Sequence, residues 1–173
     1  AKDKDGNLLN QPIDKFNHLL DAMRYSVLNG GKRLRSILCV EIAKMLGGTF
    51  EKAIPFAASI ELIHAYSLVH DDLPSMDNAD MRRGMLSCHK KYGEAMGVLC
   101  GDALLNSAYE LMSQNCDDSL CVESMKLISS SAGGNGMIDG QVIDLDLAEK
   151  KICEVSDLIK LIELKTMALI RAS

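Results

Sequence analysis

Apolar residues recur along most of the chain at the three- and four-residue spacing of amphipathic helices. In the first such segment they are Ile13, Phe16, Leu19, Leu20, Met23 and Val27. Glycine pairs end the first two segments, and the capping residues Asp117 or Asp118 and Ser156 open two later ones. The pattern predicts helices over 12–29, 33–46, 51–73, about 90–114 and 117–132, and a last helix that begins at Ser156.

The segment 51–73 is apolar nearly all round, which predicts a central, buried helix. His64 and Asp71 lie on one face of it, because seven residues correspond to about 700° of rotation. Ser67 lies on the same face, four residues before Asp71. A buried polar side chain needs a partner, so His64 is either a satisfied core histidine or part of a site on this face.

Carboxylates cluster where this helix should end. Asp71 and Asp72 are adjacent, and Asp77 follows an insert that contains Pro74. The proline predicts a break that returns Asp77 to the side of Asp71. Carboxylates at a helix C-terminus oppose the helix dipole. A hard cation such as Mg²⁺, which takes one or two carboxylates together with substrate phosphates, relieves that repulsion.

Two basic segments flank this region. GGKRLR opens the second helix with Lys32 and Arg35 on one face, and Arg82 and Arg83 close a loop predicted over 78–85. GGKRLR is either a solvated turn or an anion cradle that combines cations with free helix N–H groups. It is not a Walker A loop, because no Ser or Thr follows the lysine.

Composition narrows the class of protein. The 173 residues are 47% hydrophobic and 25% charged, with only 4% aromatic residues and 3 prolines, which favours one all-α domain. The net charge of −5 argues against nucleic-acid binding. The six cysteines form no CxxC pair, which is typical of core thiols in a reducing cytosol rather than of disulfides or zinc ligands. No apolar run is long enough to span a membrane, and no signal peptide is visible, so a cytoplasmic location is expected.

Taken in order, GGKRLR, IHAYSLVHDDLPSMD, MRRG, GDALL, DGQVIDLD and LKTMALIRAS resemble the trans-isoprenyl diphosphate synthases, nearest to the bacterial farnesyl diphosphate synthase group. The resemblance covers the chain from Met23 to Ser173. It implies an isoprenoid synthase helical bundle around a deep central cavity. The activity it implies is head-to-tail condensation of isopentenyl diphosphate with an allylic diphosphate, by Mg²⁺-assisted ionisation of the allylic substrate.

The resemblance also assigns roles residue by residue. It implies that Asp71, Asp72 and Asp77 bind Mg²⁺, and that Arg82, Lys165, Thr166 and Gln141 face the allylic substrate. It places Lys32, Arg35, His64 and Arg83 at the isopentenyl diphosphate. Asp71, Asp77, Arg82 and Lys165 are the residues expected to support ionisation. Tyr66 and Ser67, five and four residues before Asp71, are expected to limit the product to farnesyl diphosphate.

Some positions depart from the family pattern. Ser36, Leu164 and Met167 stand where proline, histidine and glycine are common. A second aspartate-rich motif is expected beyond Ser173, so we expect residues 1–173 to be the N-terminal portion of one domain, truncated at its C-terminal end and inactive alone.

Three other functions remain open. The first is a geranylgeranyl diphosphate synthase. The second is a class I terpene cyclase, which the second basic segment disfavours. The third is a non-catalytic partner subunit of a synthase. A homodimer is expected from the resemblance.

Overall fold

The computed structural model describes residues 17–150 and 154–173, and most of these residues are helical. The helices are α1 (Asn17–Leu28), α2 (Leu34–Met45), α3 (Phe50–Asp71), α4 (Cys88–Tyr92), α5 (Glu94–Gln114), α6 (Ser119–Ala132), α7 (Met137–Lys150), α8 (Val155–Leu161) and α9 (Ala168–Arg171). A π-helix (Ile162–Met167) joins α8 to α9, and a hairpin of β1 (Met81–Arg82) and β2 (Met85–Leu86) precedes α4. The predicted all-α class is confirmed. In the described ranges, no helix combines the length and the apolar character needed to cross a membrane.

Helix α3 is the centre of the structure. It packs most extensively against α5 and α2, and it also contacts α1 and α6. Ile60 and Ile63 are fully buried in this core. The Thr49 side chain caps the helix by accepting a hydrogen bond from the Lys52 amide. The prediction of a buried central helix is therefore confirmed, although the helix ends at Asp71, two residues earlier than predicted.

The single helix predicted over about 90–114 is wrong. The chain forms two helices there, α4 and α5, because Gly93 between them has φ of 95° and cannot continue a right-handed helix. Gly97 and Gly101 do lie on one buried face of α5. A Cβ atom on Gly101 would stand 2.0 Å from His70 Nε2, so glycine is what permits α5 to approach α3 this closely.

The segment 78–85 also departs from the predicted loop. Met81 pairs with Leu86, and Arg82 pairs with Met85, in a short antiparallel hairpin. Arg83 and Gly84 at its tip have φ of 53° and 78°. Positive φ at both central residues is the pattern of a type I′ turn, which matches the twist of the paired strands.

Helix boundaries elsewhere follow capping chemistry. Asp118 caps α6 by accepting a hydrogen bond of 2.8 Å from the Cys121 amide, as predicted. Ser156 is not the N-cap of α8, because Glu154 and Asp157 form a reciprocal capping box there. The helices predicted over 33–46 and 117–132 are confirmed within two residues at each end. Of the first predicted helix, residues 12–16 lie outside the described residues, and α1 covers most of the rest.

Candidate functional site

The C-terminal end of α3 brings Asp71 and Asp77 together. After α3 ends, the Asp77 amide donates to the Asp71 carbonyl at 2.9 Å, and the Asn78 amide donates to the Leu73 carbonyl at 3.0 Å. Burial raises the pKa of Asp71, and the nearby carboxylates Asp77 and Asp72 raise it further, against the opposing effect of Lys165. The predicted break at the Pro74 insert is confirmed, and its consequence is a concentration of negative charge at an unfavourable helix end.

Asp72 is held differently from Asp71. Its side chain is 3% exposed, and both carboxylate oxygens accept hydrogen bonds from Arg82. Arg82 Nε lies 3.1 Å from Oδ1 and 3.2 Å from Oδ2, and Arg82 Nη2 lies 2.5 Å from Oδ1. This hydrogen bonding raises the pKa of Arg82. Asp72 therefore anchors the hairpin arginine, whereas Asp71 is the carboxylate whose pKa the nearby Asp77 raises.

The two basic segments predicted from the sequence meet in space. The Arg83 guanidinium donates to the Gly30 carbonyl, and the Asn29 amide side chain donates to the Arg82 carbonyl at 3.4 Å. A Cβ atom on Gly31 would stand 2.7 Å from Arg83 Nη1. The glycine pair therefore gives the Arg83 guanidinium the space to lie over the turn between α1 and α2.

Arg33 and Glu61 are residues whose roles the sequence did not reveal. Arg33 has φ of 52° at the start of α2, and its Nη1 lies 2.8 Å from Glu61 Oε2. The Ser36 hydroxyl donates to Glu61 Oε1 at 3.1 Å. Glu61 on α3 thus fixes the GGKRLR turn through Arg33 and Ser36. Ser36 supplies a hydrogen bond that a proline at this position would lack. Lys32 in the same turn is exposed.

Arg35 and His64 lie together on one wall of a cavity. Burial, together with the adjacent Arg35 charge, lowers the pKa of His64 to about 4, so the imidazole is neutral at pH 7. Burial also lowers the pKa of Arg35. Arg35 Nε is buried and has no hydrogen-bond partner. A half-buried guanidinium beside a neutral imidazole is suited to receive an anion.

Lys165 lies close to Asp71 although it belongs to a separate helical segment. It lies in the π-helix, and its Nζ is 3.8 Å from Asp71 Oδ2 and 2.5 Å from Asp144 Oδ2 on α7. Gly140 makes this geometry possible, because a Cβ atom there would stand 2.3 Å from the Lys165 backbone nitrogen. Asp144 therefore holds the ammonium group next to the Asp71 carboxylate.

These residues line one cavity of about 470 Å³. Asp71, Lys165 and Thr166 form part of its polar lining, and Gln141, whose buried amide atoms have no partner, lies beside them. Tyr66 is 6% exposed, and its ring packs edge-on to His70 at a centroid distance of 5.7 Å. Burial raises the pKa of Tyr66 to about 12. The remaining wall is largely apolar and contains Leu68, Met76, Leu105, Met137, Ile138, Val142 and Leu145.

The structure therefore brings most of the predicted site residues into one cavity: Arg35, His64, Tyr66, Ser67, Asp71, Gln141, Lys165 and Thr166. Asp72, Arg82 and Arg83 instead line a smaller adjacent cavity. Gln141, Asp144 and Lys165 come from sequence motifs far from Asp71, so helix spacing alone does not place them beside it.

A different acidic group lies at the start of α6. Ligand atoms of Asp117, Asp118 and Cys121 are within 4.8 Å of one another. Asp118 already accepts hydrogen bonds from the Cys121 amide and from Lys52 Nζ, the latter at 3.0 Å. These contacts account for the group as a helix cap with a surface ion pair.

Comparison with known proteins gives one consistent result. Residues 16–173 match the polyprenyl synthetase family model. The chain is 39% identical over 168 residues to farnesyl diphosphate synthase of Micrococcus luteus, covering 96% of this chain and 57% of that protein. It is 40% identical over 171 residues to geranylgeranyl diphosphate synthase of Cyanophora paradoxa, covering 95% of this chain and 57% of that protein.

A solved structure agrees with the sequence relatives. The apo structure of an FPP/GFPP synthase from Zymomonas mobilis superposes with a TM-score of 0.86 at 39% identity, and the match covers 91% of this chain and 58% of that chain. The described helices therefore form the isoprenoid synthase architecture. The chain spans a little over half the length of the relatives named here. The chain belongs to the polyprenyl synthetase family.

Proposed function

We propose that this chain provides the allylic diphosphate site of a prenyltransferase that condenses isopentenyl diphosphate with dimethylallyl or geranyl diphosphate. One observation carries the proposal: Lys165 Nζ lies 3.8 Å from Asp71 Oδ2, and both residues line a largely apolar cavity of about 470 Å³. Asp77 lies close enough to Asp71 for its charge to raise the pKa of that carboxyl. A prenyl diphosphate has a matching division between an anionic head and an apolar tail. Cavities of this size and lining are typical of small-molecule sites.

The donor set fits magnesium. Asp71 and Asp77 offer carboxylate oxygens, the ligands that Mg²⁺ prefers. The pKa of Asp71 is raised, and a bound cation would lower it again by stabilising the carboxylate. We infer that these two residues hold the metal, while Asp72 orients Arg82 toward the same diphosphate. When bound, Mg²⁺ would neutralise charge on the diphosphate leaving group.

The residues of this chain perform the remaining tasks. Lys165 and Arg82 place positive charge where the diphosphate departs, which stabilises the charge that develops there. Asp144 keeps the Lys165 ammonium in place. The apolar wall excludes water that would quench an allylic carbocation. No side-chain nucleophile is required, because the isopentenyl double bond supplies the electrons.

A second diphosphate is proposed to bind at the GGKRLR turn. Arg35 has an unpartnered buried nitrogen, His64 is neutral beside it, and Arg83 lies over the glycine pair. Lys32 is exposed in the same turn and is free to add a further cation. The clustering of cations around this turn supports two diphosphate sites, as a condensation requires, over the single site of a cyclase.

We propose farnesyl diphosphate as the product. Tyr66 and Ser67 line the cavity one helical turn below Asp71, where a large ring obstructs a growing chain. The named relatives include both farnesyl and geranylgeranyl diphosphate synthases, so geranylgeranyl diphosphate is the second candidate product. We also propose a homodimer, on the family resemblance.

The test is product analysis with the full-length gene product. Labelled isopentenyl diphosphate is incubated with geranyl diphosphate and Mg²⁺, and the dephosphorylated products are separated by chain length. We expect a C15 alcohol that disappears in Asp71→Asn. Asp146→Asn is the matched control, because Asp146 is an exposed carboxylate on α7 that pairs with Lys150. Absence of any prenyl product from the unmodified protein would refute the proposal.

A further inference from the structure

The hairpin of β1 and β2 is too small to hold its own position. Each strand has two residues, and an isolated two-stranded hairpin is at best marginally stable in water. Contacts with the rest of the protein must therefore fix the guanidinium groups that the hairpin carries. Strand β1 has such contacts, because the Asp72 carboxylate binds the Arg82 side chain and the Asn29 side chain donates to the Arg82 carbonyl.

Strand β2 is held by a residue of α1. The Tyr25 hydroxyl donates a hydrogen bond to the Leu86 carbonyl, and the two oxygens are 2.8 Å apart. Within the described ranges, this is the only hydrogen bond from a side chain to β2. Tyr25 and Asn29 lie four residues apart, so the end of α1 contacts both strands of the hairpin.

The Tyr25 ring is itself fixed by α4. Lys91 Nζ lies 3.6 Å from the centre of the ring, which is a cation–π contact. The Tyr92 ring meets the same ring edge-on at a centroid distance of 5.6 Å. Helix α4 begins two residues after Leu86. Tyr25 therefore links α1, α4 and the hairpin at one place.

Arg83 depends on this link more than Arg82 does. The Arg82 guanidinium binds both oxygens of the buried Asp72 carboxylate, whereas the exposed Arg83 guanidinium donates to the neutral Gly30 carbonyl. Hydrogen bonds between two charged groups are the stronger kind. If β2 shifts, Arg82 stays bound to Asp72, but Arg83 lies in the turn between the strands and moves with it.

We propose that Tyr25 is a positioning residue, whose hydroxyl anchors β2 and thereby keeps the Arg83 guanidinium over the glycine turn between α1 and α2. This role rests on the proposed function, which assigns isopentenyl diphosphate to that turn. Tyr25 acts through the hairpin backbone and is assigned no contact with either substrate. Loss of its hydroxyl should impair the use of isopentenyl diphosphate and leave the allylic diphosphate, which is assigned to Arg82, nearly unaffected.

Hydrogen exchange in the full-length protein tests the anchor by itself. Tyr25→Phe removes the hydroxyl and keeps the ring beside Lys91. Tyr92→Phe is the matched control, because Tyr92 belongs to the same aromatic cluster but its hydroxyl has no hydrogen bond in the described part of the chain.

Mass spectrometry follows the peptide that contains β1 and β2. We expect its amides to exchange about fivefold faster in Tyr25→Phe, within the range for losing one hydrogen bond, and at an unchanged rate in Tyr92→Phe. The same exchange rate in Tyr25→Phe and the unmodified protein would overturn the anchor.

Steady-state kinetics of the full-length protein test the consequence. With Mg²⁺ present, Tyr25→Phe should raise KM for isopentenyl diphosphate about fivefold, while KM for geranyl diphosphate stays within about twofold. Tyr92→Phe should change neither constant. A tyrosine with only a structural role would alter both constants together, so equal changes in the two KM values would contradict the proposed role.

A double mutant identifies the group through which Tyr25 acts. If the hydroxyl acts by placing Arg83, adding Tyr25→Phe to Arg83→Ala should not raise KM for isopentenyl diphosphate any further. An additive rise would show that Tyr25 acts through another group, and the assignment to Arg83 would be wrong. Absence of any prenyl product from the unmodified protein would instead contradict the proposed function, while hydrogen exchange would still decide the anchor.

Discussion

Replacing Gly140 with alanine tests how the π-helix is positioned. The new Cβ atom would stand 2.3 Å from the Lys165 nitrogen and 2.6 Å from its Cα atom, both backbone atoms that cannot rotate aside. Restoring normal contact near 3.5 Å requires a displacement of about 1 Å. Overpacking of this kind costs about 1–3 kcal/mol, and the obstruction by backbone places Gly140→Ala near the upper end. Alanine gains about 1 kcal/mol in helix propensity, which leaves a net loss of about 2 kcal/mol.

The assay for this prediction is urea denaturation of matched variants. Gly134→Ala is the control, because a Cβ atom on Gly134 would meet no atom within 4 Å, and this glycine has no positive φ. Reducing the freedom of the unfolded chain should make that variant neutral or about 0.4–1 kcal/mol more stable. Gly140→Ala should also weaken magnesium pyrophosphate binding, since Lys165 moves away from Asp71. Equal unfolding free energies for the two variants would refute the close approach of α7 to the π-helix.

Three further predictions follow from individual contacts. The pKa of His64 is about 4 in the folded protein and near 6.5 in the unfolded chain, so the unfolded chain takes up the proton first as the pH falls. The unfolding free energy of the protein relative to His64→Asn should therefore fall by about 3 kcal/mol between pH 6.5 and pH 4, as measured by denaturation across pH. Arg82→Ala leaves the buried Asp72 unpaired and should cost about 2–3 kcal/mol of unfolding free energy; adding Asp72→Asn should recover part of the loss, and an additive double mutant would contradict the pairing. Tyr66→Ala opens the cavity and should lengthen the prenyl product beyond C15 by chromatography, so an unchanged product would exclude Tyr66 as the limiting ring.

Helix positions were predictable because burial imposes a periodic apolar pattern. The central α3 and the break after Asp71 both follow from local chemistry, since the apolar residues surround the axis and Pro74 interrupts it. Gly93 was misjudged because the same residue type permits close packing within a helix and also ends one. Its φ of 95° is one that glycine adopts easily, so the residue type alone does not say which of the two roles applies.

The site was predictable where residues share one helix and unpredictable where they do not. His64 and Asp71 both line the cavity from α3, as their spacing predicts. The roles of Arg33, Glu61 and Asp144 depend on contacts between separate helices, which no spacing rule encodes. The contact of Gly140 with Lys165 in the π-helix also joins two separate helical segments, so the residues around Lys165 do not indicate it.

Calorimetric titration with geranyl thiodiphosphate, an analogue that resists ionisation, tests the central claim most directly. The account predicts binding that requires Mg²⁺, is lost in Asp71→Asn and is retained in Asp146→Asn. Asp71 Oδ2 lies 3.8 Å from Lys165 Nζ and is influenced by the charge of Asp77, whereas Asp146 pairs only with Lys150 among the described residues. Binding of equal strength without Mg²⁺, or binding that survives Asp71→Asn unchanged, would contradict it.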